Sequence, residues 1–141
     1  MAVLAAIGEE RRSNRVLAVA ADLAGAHGER LDVLHVVPEG EFETHKAAIE
    51  EFSFAQEEQS AATFAEKVAE ETLDDTADVS GVGRVGDPVE QTISVLEETD
   101  PRYLVIGGRR RSPAGKAVFG SRTQDILLRS PIPVMTVIQD E

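Results

Sequence analysis

The stretch VIGGRRRSPAGKAVFGS, Val105 to Ser121, sets three consecutive arginines and a lysine between glycine-containing ends. Gly107 and Gly108 close an apolar run, where a backbone lacking Cβ lets a ligand come near. Gly120 and Ser121 open a helical segment, whose free N–H groups and dipole favour an anion. Ser121 can also donate its hydroxyl or cap that helix. Arg109, Arg110, Arg111 and Lys116 add local positive charge. Together these residues describe a phosphate cradle. They equally describe a solvated connection whose arginines face water or nearby acids, and the residues alone leave both readings open.

Other motifs are weaker. GVGRVG (Gly81, Gly83, Gly86) fits G-x-G-x-x-G by letter, but a dinucleotide fingerprint needs a strand before it and a helix opening inside the glycines. Here the glycines fall within or beside a strand, and a flexible, twisted strand ending in a turn accounts for them. RRSPAGKA resembles a Walker A loop around Gly115 and Lys116, yet Arg110 and Ala117 occupy two of its defining positions. The three histidines, His27, His35 and His45, have no metal-ligand spacing. His35, set between VL and VV, reads as a packed or hydrogen-bonded residue. There is no cysteine, and no serine in a G-x-S-x-G context, so covalent catalysis has no candidate.

The elements that must position the basic loop follow from periodicity. AVLAAI (Ala2 to Ile7), LDVLHVV (Leu31 to Val37), YLVIG (Tyr103 to Gly107) and PVMTVI (Pro133 to Ile138) are short apolar runs of the kind buried strands show. A weaker strand spans Val79 to Val85. Ser13 can cap a helix with Val16, Ala20, Leu23 and Ala24 on one face, and Gly28 can end it. Pro38 to Phe54 is polar and acidic and reads as a mobile loop, with helix in its later part as the alternative. A long helix is expected from Phe54 to Leu73, with Ala61, Phe64, Ala65 and Val68 inward. Asp87 and Pro88 open another through Val89, Ile93 and Leu96. A short helix spans Ser121 to Arg129. Alternating strands and helices imply one α/β domain, residues 1–141, built on a parallel sheet with helices on both faces. Ligands of such sheets bind beyond the carboxyl ends of the strands, where the winding reverses. That rule nominates the loops after Ile7, Val37 and Gly107.

Charge narrows the partners. The 141 residues hold 26 acids against 14 basic residues, a formal net charge of −12. Such a field repels nucleic acid and anionic membrane, so neither is an expected partner. Only three of the basic residues are lysine, and this acidic, lysine-poor surface resembles those of proteins from salt-loving organisms; an ordinary acidic cytosolic protein is the alternative. No apolar run approaches the ~20 residues of a membrane span, and MAVLAAIGEE lacks a basic n-region. A cytoplasmic location is therefore expected.

On these residues the chain resembles the universal stress protein family. Its ATP-binding members carry G-x2-G-x9-G-[S/T] after the fourth strand, and Gly107, Gly120 and Ser121 stand in that register. RSPIPVMTV resembles the family's closing segment, LHVV its second strand, and VGDPVEQTI the opening of its third helix. The resemblance implies a five-stranded parallel sheet in the order 3-2-1-4-5, Rossmann-like and similar to the adenine nucleotide α-hydrolases. It also implies a homodimer through the last strand, and ATP or another adenine nucleotide over strands one, two and four, with Mg as an accompanying ion. Residue by residue, Ala6 and Val36 match adenine-contacting positions. Ile106 and Gly107 lead toward ribose and phosphates, and Gly120, Ser121 and Arg122 match the phosphate-binding helix start. Two positions depart from the pattern. Gly8 replaces the usual aspartate after the first strand, and Arg110 replaces the second glycine of G-x2-G. Arg110 either grips phosphate through its guanidinium or crowds the phosphates out.

The resulting expectation is a regulatory module that binds an adenine nucleotide, with at most slow ATP hydrolysis. The alternative is a nucleotide-independent dimer whose Arg110 fills the site and whose acidic segment meets an unidentified protein partner. A true ATP-consuming enzyme ranks last, because AIGEERRS lacks an S-G-G-x-D-S-type loop.

Overall fold

Strand β1, Ala2–Ile7, is buried along nearly its whole length, as a strand covered on both faces must be. A computed structural model describes residues 1–8, 13–48, 53–109 and 120–139. Further strands are β2 (Arg30–Val37), β3 (Val79–Val85), β4 (Tyr103–Arg109) and β5 (Val134–Gln139). They form one parallel sheet in the order β3-β2-β1-β4-β5. Helices are α1 (Ser13–His27), α2 (Glu39–Ala48), α3 (Phe54–Thr72), α4 (Pro88–Thr99) and α5 (Ser121–Arg129).

Side-chain alternation along the strands divides the core in two. Val3, Ala5, Leu31, Val33 and Val105 face α1 and α3, meeting Val16, Leu17, Ala20, Ala65 and Ala69. Leu4, Leu34, Leu104 and Ile106 face α4 and α5, meeting Val89, Ile93, Leu96 and Ile126. Helices thus cover both faces, as expected.

Local chemistry ends the helices where the residues predict. Gly28 takes φ +62°, closing α1 while Glu29 N–H donates to the Ala24 carbonyl at 2.9 Å. Asp87 caps α4 through the Glu90 N–H at 3.0 Å, with Pro88 in the first turn. Ser13 is the first residue of α1 rather than a residue before it. Segment 38–54 differs from the expected loop, since α2 begins already at Glu39. A capping box then starts α3. Ser53 Oγ accepts from Gln56 N–H at 3.2 Å, and Gln56 Oε1 accepts from Ser53 N–H at 2.7 Å.

The GVGRVG glycines have a packing role. A Cβ on Gly83 would overlap the Glu58 carbonyl oxygen of α3, and one on Gly81 would overlap that of Ala62. Glycine lets β3 lie directly against the α3 backbone. No helix opens within these glycines, and a dinucleotide fingerprint is excluded here.

Candidate functional site

The sheet opens at one place. β1 stays in register with β2 as far as Ile7↔His35, whereas its register with β4 runs from Val3↔Tyr103 to Ala5↔Val105. Both strands continue beyond that, β1 to Ile7 and β4 to Arg109. The carboxyl ends of β1 and β4 therefore part. This is also where the winding reverses, the position at which open α/β sheets hold ligands.

Of the residues nominated from the sequence, Ala6, Gly8, Val36, Ile106 and Gly107 lie in or just past the later parts of β1, β2 and β4, and Gly120, Ser121 and Arg122 lie at the start of α5. Gly8 stands exposed at its β1 lip, and a Cβ built there meets nothing within 4 Å. Ala6, Val36 and Ile106 pack on the same apolar cluster under α4 and α5, from β1, β2 and β4 respectively. The Ile106 side chain is taken up by that core. Gly107 is half-buried on the β4 side and pairs with Val137 of β5.

Gly120 is the N-cap of α5, with an extended backbone and no side chain to satisfy the first-turn N–H groups. Ser121 and Arg122 are exposed in that turn, which holds no acidic residue. A helix start of this kind presents N–H donors and the positive end of the dipole to an anion. Thr123, which the sequence reading passes over, joins the two halves. Its Oγ1 donates to the Gly107 carbonyl at 3.3 Å, tying the first turn of α5 to the end of β4. A threonine two residues past the glycine-serine pair is the signal that marks it. Arg110 lies outside the described residues, as do Arg111 and Lys116.

Histidine chemistry is absent from the crevice, as far as the described residues go. His35 is buried, its Nδ1 lies 3.3 Å from the Ile7 carbonyl, and its ring sits 4.6 Å from that of Phe64. It is the packed, hydrogen-bonded histidine expected. His27 meets Tyr103, and His45 meets Glu57. Among the described residues no group of three His, Asp or Glu is placed to hold a metal ion.

Ion pairs brace the scaffold away from the crevice. Arg102 forks onto Glu29 at 2.6 and 2.9 Å, joining the starts of β4 and β2. Hydrogen bonding from that guanidinium holds the Glu29 carboxyl below its usual range. Arg129 of α5 does the same to Glu90 of α4, at 2.6 and 3.1 Å. No described helix is long and apolar enough to cross a membrane.

Comparison with known proteins agrees with this architecture. The family model described as the universal stress protein family matches residues 1–137. A universal stress protein of Mycolicibacterium smegmatis is 41% identical over 51 residues, 36% of this chain and 39% of that relative. The match thus spans well under half of that relative's length. The solved universal stress protein of Archaeoglobus fulgidus is 26% identical, with a TM-score of 0.69 covering 96% of this chain and 97% of that one. A universal stress protein solved in complex with cAMP is 21% identical, with a TM-score of 0.67 over 98% of this chain and 96% of its own. One from Archaeoglobus fulgidus, in complex with dAMP, is also 21% identical, with a TM-score of 0.62 over 96% of each chain. With its fold, strand order and nearly full-length family match in agreement, the chain belongs to the universal stress protein family.

Proposed function

We propose that this protein binds an adenine nucleotide in the crevice between β1 and β4 and acts as a regulatory module with little or no turnover. The observation that carries this reading is the parting of β1 from β4 directly beside an uncapped α5 start. The base would lie near Ala6 and Val36, with the ribose passing Ile106 and Gly107. The phosphates would meet the N–H groups of Ser121 and Arg122 and the Ser121 hydroxyl. Two relatives of the same fold hold cAMP and dAMP, which supports an adenine-containing ligand. Gly8 brings no carboxylate to the site, so Mg would be held by the phosphates and water rather than by this position. Equilibrium dialysis against ATP, ADP and AMP at high salt tests the reading, with binding at sub-millimolar concentration expected. No binding at millimolar nucleotide would refute it.

Dimerisation through β5 forms part of the same proposal. β5 is an edge strand, which offers unpaired backbone groups to a partner. Met135 is 43% exposed on it, and Leu128 of α5 is 77% exposed. Sedimentation velocity should give a dimer, and Met135→Lys should shift it toward monomer. A monomeric parent protein would refute this part.

A further inference from the structure

We infer that α2 is a hinged cover over a cleft at the carboxyl end of β2, latched to α3 by the contact between His45 and Glu57. The cleft, about 230 Å³, lies on the α3 face of the sheet, away from α5. His35, Val37, Ala61 and Phe64 line its floor, while Glu41 and His45 reach it from α2.

Phe42 and His45 dock the helix, and Glu41 is half-buried at the cleft. Phe42 packs against Val37, Ala61 and Val85, and its ring meets that of Phe54 edge-on at 5.5 Å. His45 Nδ1 lies 2.8 Å from Oε1 of Glu57, a carboxylate whose side chain is only 3% exposed. Glu39, Glu43, Thr44 and Lys46 of α2 are exposed. Ten residues are too few for a helix to persist in water without such docking. By contrast α3 is fastened along its length by Ala61, Ala65 and Ala69. Pro38 forms the hinge, its carbonyl accepting from both Glu41 N–H and Phe42 N–H at 3.0 and 3.1 Å.

Opening is a local event with a cost well below that of global unfolding. Among the described side chains of α2 it exposes little apolar surface beyond Phe42 and its notch, and it hydrates the Glu57 carboxylate, which offsets part of the lost contact. The latch sets how often the cover lifts. This inference does not depend on nucleotide binding.

The chain has no cysteine, so a single introduced thiol gives a clean readout. Ala61→Cys places one under the cover, and Thr63→Cys places one at an exposed α3 position outside the cleft lining. His45→Ala should speed labelling of Cys at position 61 by about tenfold or more, the range for losing a hydrogen bond to a charged group. Labelling at position 63 should stay within twofold. Hydrogen exchange on cysteine-free His45→Ala covers the case in which Ala61→Cys disturbs folding. There, α2 amides should exchange faster while those of β1 and β4 remain unchanged. Unchanged exchange in α2, unchanged labelling at position 61, or a parallel rise in β1 and β4 would overturn the inference.

Discussion

Replacing Gly83 by alanine pits two effects of opposite sign against each other, and the structure decides between them. Gly→Ala ordinarily stabilises by about 0.4–1 kcal/mol, because it removes freedom from the unfolded chain. At position 83 the new Cβ would overlap the Glu58 carbonyl oxygen and lie 2.6 Å from Ala62 N and 2.8 Å from Ala61 Cβ. These are the backbone and first side-chain atoms of α3, not the far end of a flexible side chain. Relief therefore requires α3 to move off β3, in a core where one extra methyl typically costs about 1–3 kcal/mol, occasionally more. With packing at the upper end of that range, the net loss is about 2 kcal/mol. An unfolding entropy of about 2.1 cal/mol/K per residue makes each kcal/mol worth ~3 °C in a chain this long. Gly83→Ala should thus lower the thermal midpoint by ~6 °C. Gly25→Ala is the matched control, since it lies within α1 and a Cβ there meets nothing within 4 Å. It should raise the midpoint by ~2–3 °C, through helix propensity of about 1 kcal/mol. Circular dichroism melts of both variants are the assay. A Gly83→Ala midpoint equal to or above wild type would refute close β3–α3 packing as the reason for glycine there.

Other outcomes follow from the same contacts. Thr123→Val removes the hydroxyl bond to Gly107; nucleotide affinity measured by calorimetry should fall about fivefold, the equivalent of one hydrogen bond of about 1 kcal/mol. Glu29 has its carboxyl pKa lowered by Arg102, so its contribution to stability is complete above the unfolded value of about 4.3 and is lost as pH falls through the folded value. Melting Glu29→Gln beside wild type should therefore give a gap that is constant at neutral pH and closes on acidification below about 4.3. A gap that persisted at the acid end would contradict the Arg102 assignment. Finally, a net charge of −12 repels itself at low ionic strength, so the melting midpoint should rise steadily between about 0.01 and 1 M salt.

Much of the fold was legible because the strands are continuous apolar runs and the helix ends carry explicit chemistry. The run Ala2 to Ile7, the weaker Val79 to Val85, Gly28 and Asp87–Pro88 all stand as read. α2 was not legible, since among its described residues Phe42 is the one large apolar side chain, and its docking depends on a partner twelve residues beyond His45. The capping box at Ser53 and Gln56 is present in the letters SFAQ, a serine followed three residues on by glutamine. Gly81 and Gly83 read as flexibility because a one-dimensional pattern cannot register how near α3 comes. For the site, the strand ends and the Gly120–Ser121 turn followed from motif and topology. The parting of β1 from β4 is a tertiary fact that no local spacing encodes, whereas Thr123 is marked only by its place two residues past Gly120–Ser121.

Calorimetric titration of the wild-type protein and Arg110→Gly with ATP, ADP, AMP and adenosine at high salt tests nucleotide binding in the crevice most directly. Wild type should bind the nucleotides, with adenosine weaker than all three because it has no phosphate to meet the start of α5. A drop in affinity for Arg110→Gly assigns that side chain to gripping phosphate, and a rise assigns it to crowding. Wild type that binds none of the four at millimolar concentration, or binds adenosine as tightly as ATP, would rule out phosphate recognition at the start of α5.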